Sequence, residues 1–243
     1  MFAPRVALAS LSGESDAEWA LANVQHAGAA FLGGIAIDEP TRDAARQMTD
    51  RERSEFLPDD PITFIDDQLT ELDDAFLRSG FNVRTTTIGP LREAASVCAD
   101  HDAILEINAH CRQDEMCASG AGEALLSNPD ALCDQVEAAS DAGAAVSVKV
   151  RAEVPGVHLP TLAKRLERAG ADAIHVDAMD SERVVKDVVD ATDMFVIANN
   201  EVRDRDSVFE YLAYGADAVS VGRPSRNPDE VRAIYSAVKE WYL

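Results

Sequence analysis

The sequence predicts a single-domain (β/α)8 barrel, and three observations predict it. The chain has 243 residues, close to the ~250 typical of this fold. Short apolar or β-branched runs alternate with longer amphipathic stretches from end to end, making eight strand–helix units without a linker or low-complexity break. The strand runs are apolar, as a parallel sheet covered on both faces requires. Eight alternating units favour a closed parallel barrel over an open sheet. A doubly wound sheet is the alternative. It would want a glycine-rich turn after the first strand, and Ser10-Leu11-Ser12-Gly13 is a poor one.

Taken in order, Val6–Ala9 reads as the first strand, and Asp16 caps a helix through Gln25. Ala30–Leu32 is the second strand, followed by the least regular region of the chain. There Thr41–Arg53 and Phe64–Leu77 read as helices around a Pro/Asp loop at Phe56–Ile62. Phe81–Thr86 is the third strand, and Pro90 opens the next helix at its tolerated first turn. Later strands read at Ala103–Ile107, Val146–Val150, Ala173–Val176, Phe195–Ala198 and Ala218–Val221. Helices read at Pro129–Ala142, Leu159–Ala169, Ser181–Ala191, Asp204–Tyr214 and Pro228–Trp241. Glycines at positions 143, 170 and 215 close helices just before strands, where a left-handed residue is wanted.

The net charge is -22, with 44 acidic against 22 basic residues, and only Lys149, Lys164, Lys186 and Lys239 are lysines. The acidic excess is dispersed, as in Asp59-Asp60 and Asp73-Asp74. It reads as adaptation to a salt-rich cytoplasm, since net charge keeps a protein soluble at the cost of self-repulsion. It also disfavours electrostatic capture of nucleic acid, which needs Lys and Arg to displace counterions. Cys98, Cys111, Cys117 and Cys133 form no C-x-x-C pair, and the chain carries neither a signal-like segment nor a ~20-residue apolar span. The expectation is a soluble cytoplasmic protein without disulfides or a metal site.

In a barrel of this kind the loops after the strands build the active site. Those loops carry Asn108, His110 and Cys111 after the fourth strand, Lys149 and Arg151 at the fifth, and Asp177 at the sixth. They carry Asn199, Asn200 and Glu201 after the seventh strand and Gly222 and Arg223 after the eighth. The last two loops are the common phosphate cradle of the fold. Lys149 lies within the apolar run Val146–Val150, where an ammonium is costly to bury without a partner. It suits hydrogen bonding to an electron-rich ring, or Schiff-base chemistry. Cys111 is either a buried small hydrophobe or a nucleophile or acid, with His110 as its neighbour.

At these residues the sequence resembles the dihydrouridine synthases, FMN-dependent barrels related to dihydroorotate dehydrogenases. The family's A-P-M-A-G-V-T-D is similar to Ala9 through Asp16. Its I-N-x-G-C-P and G-x-G-x-x-L-L resemble Ile107 through Arg112 and Gly120 through Leu126. V-K-x-R is matched by Val148 through Arg151, G-N-G-D-I by Ala198 through Val202, and I-G-R with a later N-P by Val221 through Arg223 and Asn227-Pro228. The segment Glu106 through Gln113 resembles an archaeal branch of single-domain barrels.

The resemblance implies an FMN-dependent oxidoreductase in which Ser10 and Leu11 line the flavin and Asn108 and Lys149 bond its polar edge. It implies that Asn199, Asn200, Gly222 and Arg223 hold the phosphate. Cys111, together with Lys149, would be catalytic, the thiol protonating one carbon of a pyrimidine double bond. The sequence departs from the family at Thr86, which falls at the flavin-contacting glutamine, and at Asp177, which falls at the V-H-G-R histidine. Arg112 replaces the proline after the cysteine, and the helical tRNA-binding domain that follows the family's barrel has no counterpart before the chain ends at Leu243. The leading expectation is therefore reduction or oxidation of a C=C bond in a pyrimidine-like or other small heterocycle. The alternatives are tRNA dihydrouridine synthesis without a tRNA-binding domain of its own, a flavin-free Schiff-base lyase or aldolase using Lys149, and cofactor binding without catalysis.

Overall fold

The computed structural model describes residues 1–243. Eight parallel strands close in sequence order: β1 Val6–Leu8, β2 Ala29–Ala36, β3 Arg78–Arg84, β4 Ile104–Ala109, β5 Ala145–Arg151, β6 Ala173–Asp177, β7 Phe195–Asn199 and β8 Ala218–Val221. Closure is made by β1, which pairs with both β2 and β8. A (β/α)8 barrel is the observed fold. No helix is long and apolar enough to cross a membrane.

Side chains two apart on a strand share a face, and this alternation sorts the barrel into two chemistries. The outward residues, among them Leu105, Ile107, Val146, Val148, Val150, Ile174, Val176 and Val219, pack under the helices in a core of 59 buried residues. The inward residues begin as a small apolar plug of Phe2, Ala7, Phe31, Ile104, Ile197 and Ala218. Above that plug the interior turns polar, with Asn82, Glu106, Ser147, His175 and Ser220 all buried. The C-terminal rim follows, with Asn108 in register with Lys149, and with Arg151, Asp177 and Asn199 in register across β5 to β7.

Differences from the sequence reading have local causes. β2 runs through Gly33-Gly34 to Ala36 because the register slips between Gly33 and Ile35, so the glycines do not end the strand. The third helix starts at Pro61, because the Asp60 carboxylate caps the N–H groups of Ile62 and Thr63, and it ends at Thr70. β3 starts at Arg78 and ends at Arg84, leaving Thr86 in a loop. The helix expected at Ser181–Ala191 is confined to Val184–Val189. A short helix at Asp114–Ala118 and a 3-10 turn at Gly122–Ser127 fold back over the end of β4. Gly122 makes this possible: its φ is +61°, and a Cβ there would sit 2.3 Å from the Cys111 carbonyl oxygen.

Candidate active site

A cavity of about 730 Å³ opens at the C-terminal rim, lined by the ends of β4 to β8 and the segment after β1. Arg112, Lys149, Arg151, Arg203 and Arg223 line it, against the carboxylates of Asp177 and Glu201. The chain as a whole has twice as many acids as bases, so the sign of the charge is reversed here. Arg151 is paired with Glu123, and Arg203 with Glu201. Lys149, Arg112 and Arg223 make no ion pair, and Lys149 is only 4% exposed. Low-dielectric walls around one sign of charge concentrate a ligand of the opposite sign.

Asn199 ends β7, and the chain then turns through two left-handed residues, Asn200 at φ 94° and Glu201 at φ 50°. Side chains other than glycine rarely adopt this conformation, and it recurs at ligand clamps. Asn200 Nδ2 donates to the Met179 carbonyl, and the Tyr211 hydroxyl donates to the Asn200 carbonyl. After the neighbouring strand β8, Gly222 precedes a 3-10 turn at Arg223–Arg226, and nothing lies within 4 Å of a Cβ built on Gly222. An open backbone, a turn and an unpaired guanidinium face one another there, which are the components of a phosphate cradle.

His110 Nε2 lies 2.5 Å from Asp177 Oδ2. Asp177 Oδ1 accepts a further bond from the Met179 N–H at 3.2 Å. Burial holds the imidazole below its usual pKa against the opposing bond to Asp177, with the Lys149 charge pushing the same way as burial. Although burial pushes the Asp177 carboxyl upward, the bond and charge of His110 leave it below the usual range. The neutral ring therefore donates Nε2–H to an ionised carboxylate, and Nδ1 is the nitrogen left for a ligand.

Beneath the rim, a polar chain crosses the barrel interior. Asn199 Nδ2 donates to Ser220 Oγ at 2.8 Å, and Ser220 Oγ lies 2.6 Å from His175 Nε2. His175 Nδ1 lies 2.7 Å from Glu106 Oε2, and Asn82 Nδ2 donates to Glu106 Oε1 at 2.7 Å. Asn108 Nδ2 donates to Asn82 Oδ1 at 2.8 Å, while its Oδ1 accepts the N–H groups of His110 and Cys111. Burial alone would raise Glu106, but His175, Lys149 and Asn82 hold it below the usual carboxylate range. The chain thus couples Asn199 at the end of β7 to the loop that carries His110.

The residues expected at the site separate into two groups. Ser10, Leu11, Lys149, Asp177, Asn199, Asn200, Gly222 and Arg223 line the cavity. Asn108, Thr86 and Cys111 do not. The Asn108 amide holds the β4 loop through its Oδ1 and bonds Asn82 through its Nδ2. Thr86 gives its N–H and hydroxyl to Asp38, each at 2.7 Å, so it anchors a helix cap. Cys111 packs against the apolar group of Ala44, Met48, Met116 and Ala121. Its thiol lies near Arg84, a buried guanidinium that also contacts Glu55 and the Gly34 carbonyl.

Sequence reasoning passed over Glu106, Ser147, His175 and Ser220, and it did not single out Arg112 or Arg203 as ligand-facing. The signal for the interior residues was alternation: Leu-Glu-Ile-Asn in β4, Val-Ser-Val-Lys in β5 and Ile-His-Val-Asp in β6 each place polar groups on one face. No group of three His, Cys, Asp or Glu side chains is arranged to hold a metal ion.

The fold and this cavity define a (β/α)8 barrel with a cavity at its C-terminal rim lined by more basic than acidic side chains. A family model described as dihydrouridine synthase matches residues 82–241, from inside β3 to the last helix, and the chain belongs to that family. The family is FMN-dependent and its members are oxidoreductases. An uncharacterized protein of Methanocaldococcus jannaschii is 26% identical over 232 residues, covering 90% of this chain and 88% of that one. Two solved structures share the fold. A tryptophan synthase complex of Pyrococcus furiosus aligns over 100% of this chain and 99% of its own at 13% identity and TM-score 0.61. A FabK mutant of Thermotoga maritima aligns over 90% of this chain and 60% of its own at 17% identity and TM-score 0.52.

Proposed function

We propose that this chain is an FMN-dependent oxidoreductase acting on the C=C bond of a pyrimidine-like or other small heterocyclic substrate. The observation that carries the reading is the cavity in which an unpaired Lys149 lies below a rim bearing both Arg223 and His110. The donor set fits the cofactor. Asn199, Asn200, Gly222 and Arg223 would hold its phosphate, and the backbone at Ser10 and Leu11 would line it. FMN, when bound, supplies two-electron hydride chemistry.

The remaining work belongs to the protein. Lys149 presents a cation to an electron-rich heteroatom edge, and its burial excludes the competing solvation of bulk water. His110 handles the proton. In the direction that forms the C=C bond, Nδ1 accepts it, and Asp177 stabilises the imidazolium produced. In the reverse direction the same nitrogen returns it. Cys111, expected from the family resemblance to be the acid, gives way to His110 in this reading because it lies off the cavity beside Arg84.

The test is flavin content and turnover together. Purified protein should carry FMN or take it up stoichiometrically, and bound flavin should exchange electrons with a uracil or dihydrouracil derivative. A second reading, favoured by the same unpaired Lys149, is Schiff-base chemistry on a phosphorylated carbonyl compound. Borohydride trapping of a substrate on Lys149 in colourless protein would replace the first reading with the second.

A further inference from the structure

The cavity holds more positive charge than one phosphate uses, and the excess sits on the far side. Arg223 follows β8, whereas Arg112 follows β4; in a closed ring of eight strands these are four strands apart, on opposite sides of the mouth. Two other arginines on the Arg112 side are already engaged, Arg151 with Glu123 and Arg51 with Glu115 at 2.7 Å. Arg112 is exposed, faces the cavity and makes neither an ion pair nor a hydrogen bond. In a chain with 44 acidic residues, Arg112 is a cation at the cavity with no carboxylate partner.

We propose that Arg112 is the second anion subsite of this cavity, and that the substrate is a small pyrimidine carrying a phosphate or carboxylate. The inference rests on the reading of the β7–β8 end as the cofactor's phosphate cradle. The substrate's anionic group then lies at the β4 side, which brings its ring toward His110 and Lys149, which line the same cavity from β4 and β5. A planar guanidinium holds either anion in a bidentate manner. The acidic surface disfavours a long RNA, whereas a mononucleotide needs only the cavity.

Calorimetric titration of the full chain, as purified and after saturation with FMN, tests this with uridine, UMP, uracil and orotate at one fixed ionic strength. UMP should bind at least tenfold more tightly than uridine if the anion is a phosphate, or orotate than uracil if it is a carboxylate. Arg112→Ala should remove that preference, a loss of about tenfold to a hundredfold for a hydrogen-bonded charge, and leave the neutral ligands unchanged. Arg112→Lys should restore part of it, because a point charge replaces a fork. Equal affinity for charged and neutral members, a preference indifferent to Arg112, or binding of tRNA with no response to UMP or orotate would overturn the proposal. An Arg112-dependent preference in protein that takes up no FMN would leave the subsite standing and remove the flavin reading. FMN binding without any anion preference would do the reverse.

Discussion

His110 Nε2 and Asp177 Oδ2, brought to 2.5 Å from the ends of β4 and β6, place a neutral imidazole at the rim of the cavity. The family's histidine position in the sixth strand is an aspartate here, and that aspartate recruits a histidine from the β4 loop. The chemistry of the ring follows from the pair, because Asp177 fixes which nitrogen carries the proton.

His110→Ala should therefore slow turnover by about 10²–10⁴-fold, the usual contribution of a general acid or base, with FMN affinity preserved. Asp177→Asn should also slow it while leaving the ring in place. The pH profile separates proton transfer from structure. Burial lowers the His110 pKa and the Asp177 bond opposes that lowering. In the direction that uses the neutral ring, activity should persist below the ordinary histidine pKa of about 6.5 and fall only at lower pH. In Asp177→Asn that acid limb should move lower still, and a limb that moves upward would contradict the assignment.

The cysteines provide a contrasting set. Cys98 is buried, and burial pushes its thiol up to about 12, so native protein should not react there with a thiol reagent. Cys111→Ala should lower turnover by less than about tenfold, well below the effect expected of His110→Ala. Steady-state rates of the two variants, normalised to bound flavin, decide between them. A larger loss at Cys111 would restore the thiol as the proton donor and demote the imidazole.

Glu106 and His175 should govern stability. Neither is exposed, and each completes the other's hydrogen bonding. Glu106→Ala leaves His175 Nδ1 and Asn82 Nδ2 without their acceptor and should cost about 3–5 kcal/mol, as breaking a buried pair does. Replacing Glu106 and His175 together with apolar residues of similar volume should cost less than the two single changes summed. Denaturant melts of the three variants check this.

Acid should act through the same groups. The folded-state pKa values of Glu106, Asp177 and Asp38 lie below their unfolded values. Their stabilisation is thus present above the ordinary carboxylate range and lost as pH falls through the folded values. The lowered His110 and His175 add a loss that begins earlier, because the unfolded chain takes up protons from about pH 6.5 while the folded chain resists them. His101, raised by its bonds to Asp66 and Asp73 against the effect of burial, has the opposite sign and stabilises most at low pH. Denaturation midpoints should fall in two stages between pH 7 and pH 3, and a midpoint constant across that window would contradict the buried network.

The barrel was legible in the sequence because each strand has an apolar outward face and each helix a periodic one. The rim was legible for a related reason: Lys149, Asp177, Asn199, Gly222 and Arg223 all sit at strand ends, and strand ends share one face of a closed parallel barrel. Three-dimensional partners were not legible. His110 and Asp177 are 67 residues apart and His175 and Glu106 are 69 apart, so only the closed sheet brings them together. The end of the third strand was misplaced because β3 begins and ends earlier than its apolar run implies, which leaves Thr86 in a loop bonded to Asp38. Cys111 was placed by family pattern, which carries no information on where Arg84 and the Gly122 turn direct the loop.

Binding of FMN to wild-type protein and to Arg223→Ala tests the central claim most directly. The account predicts stoichiometric binding in the wild type, weakened in the variant by about 1.5–3 kcal/mol, the range for a hydrogen bond to a charged group, with flavin that a pyrimidine derivative can oxidise or reduce. Wild-type protein that binds no FMN at any concentration, or an affinity untouched by Arg223→Ala, would contradict it.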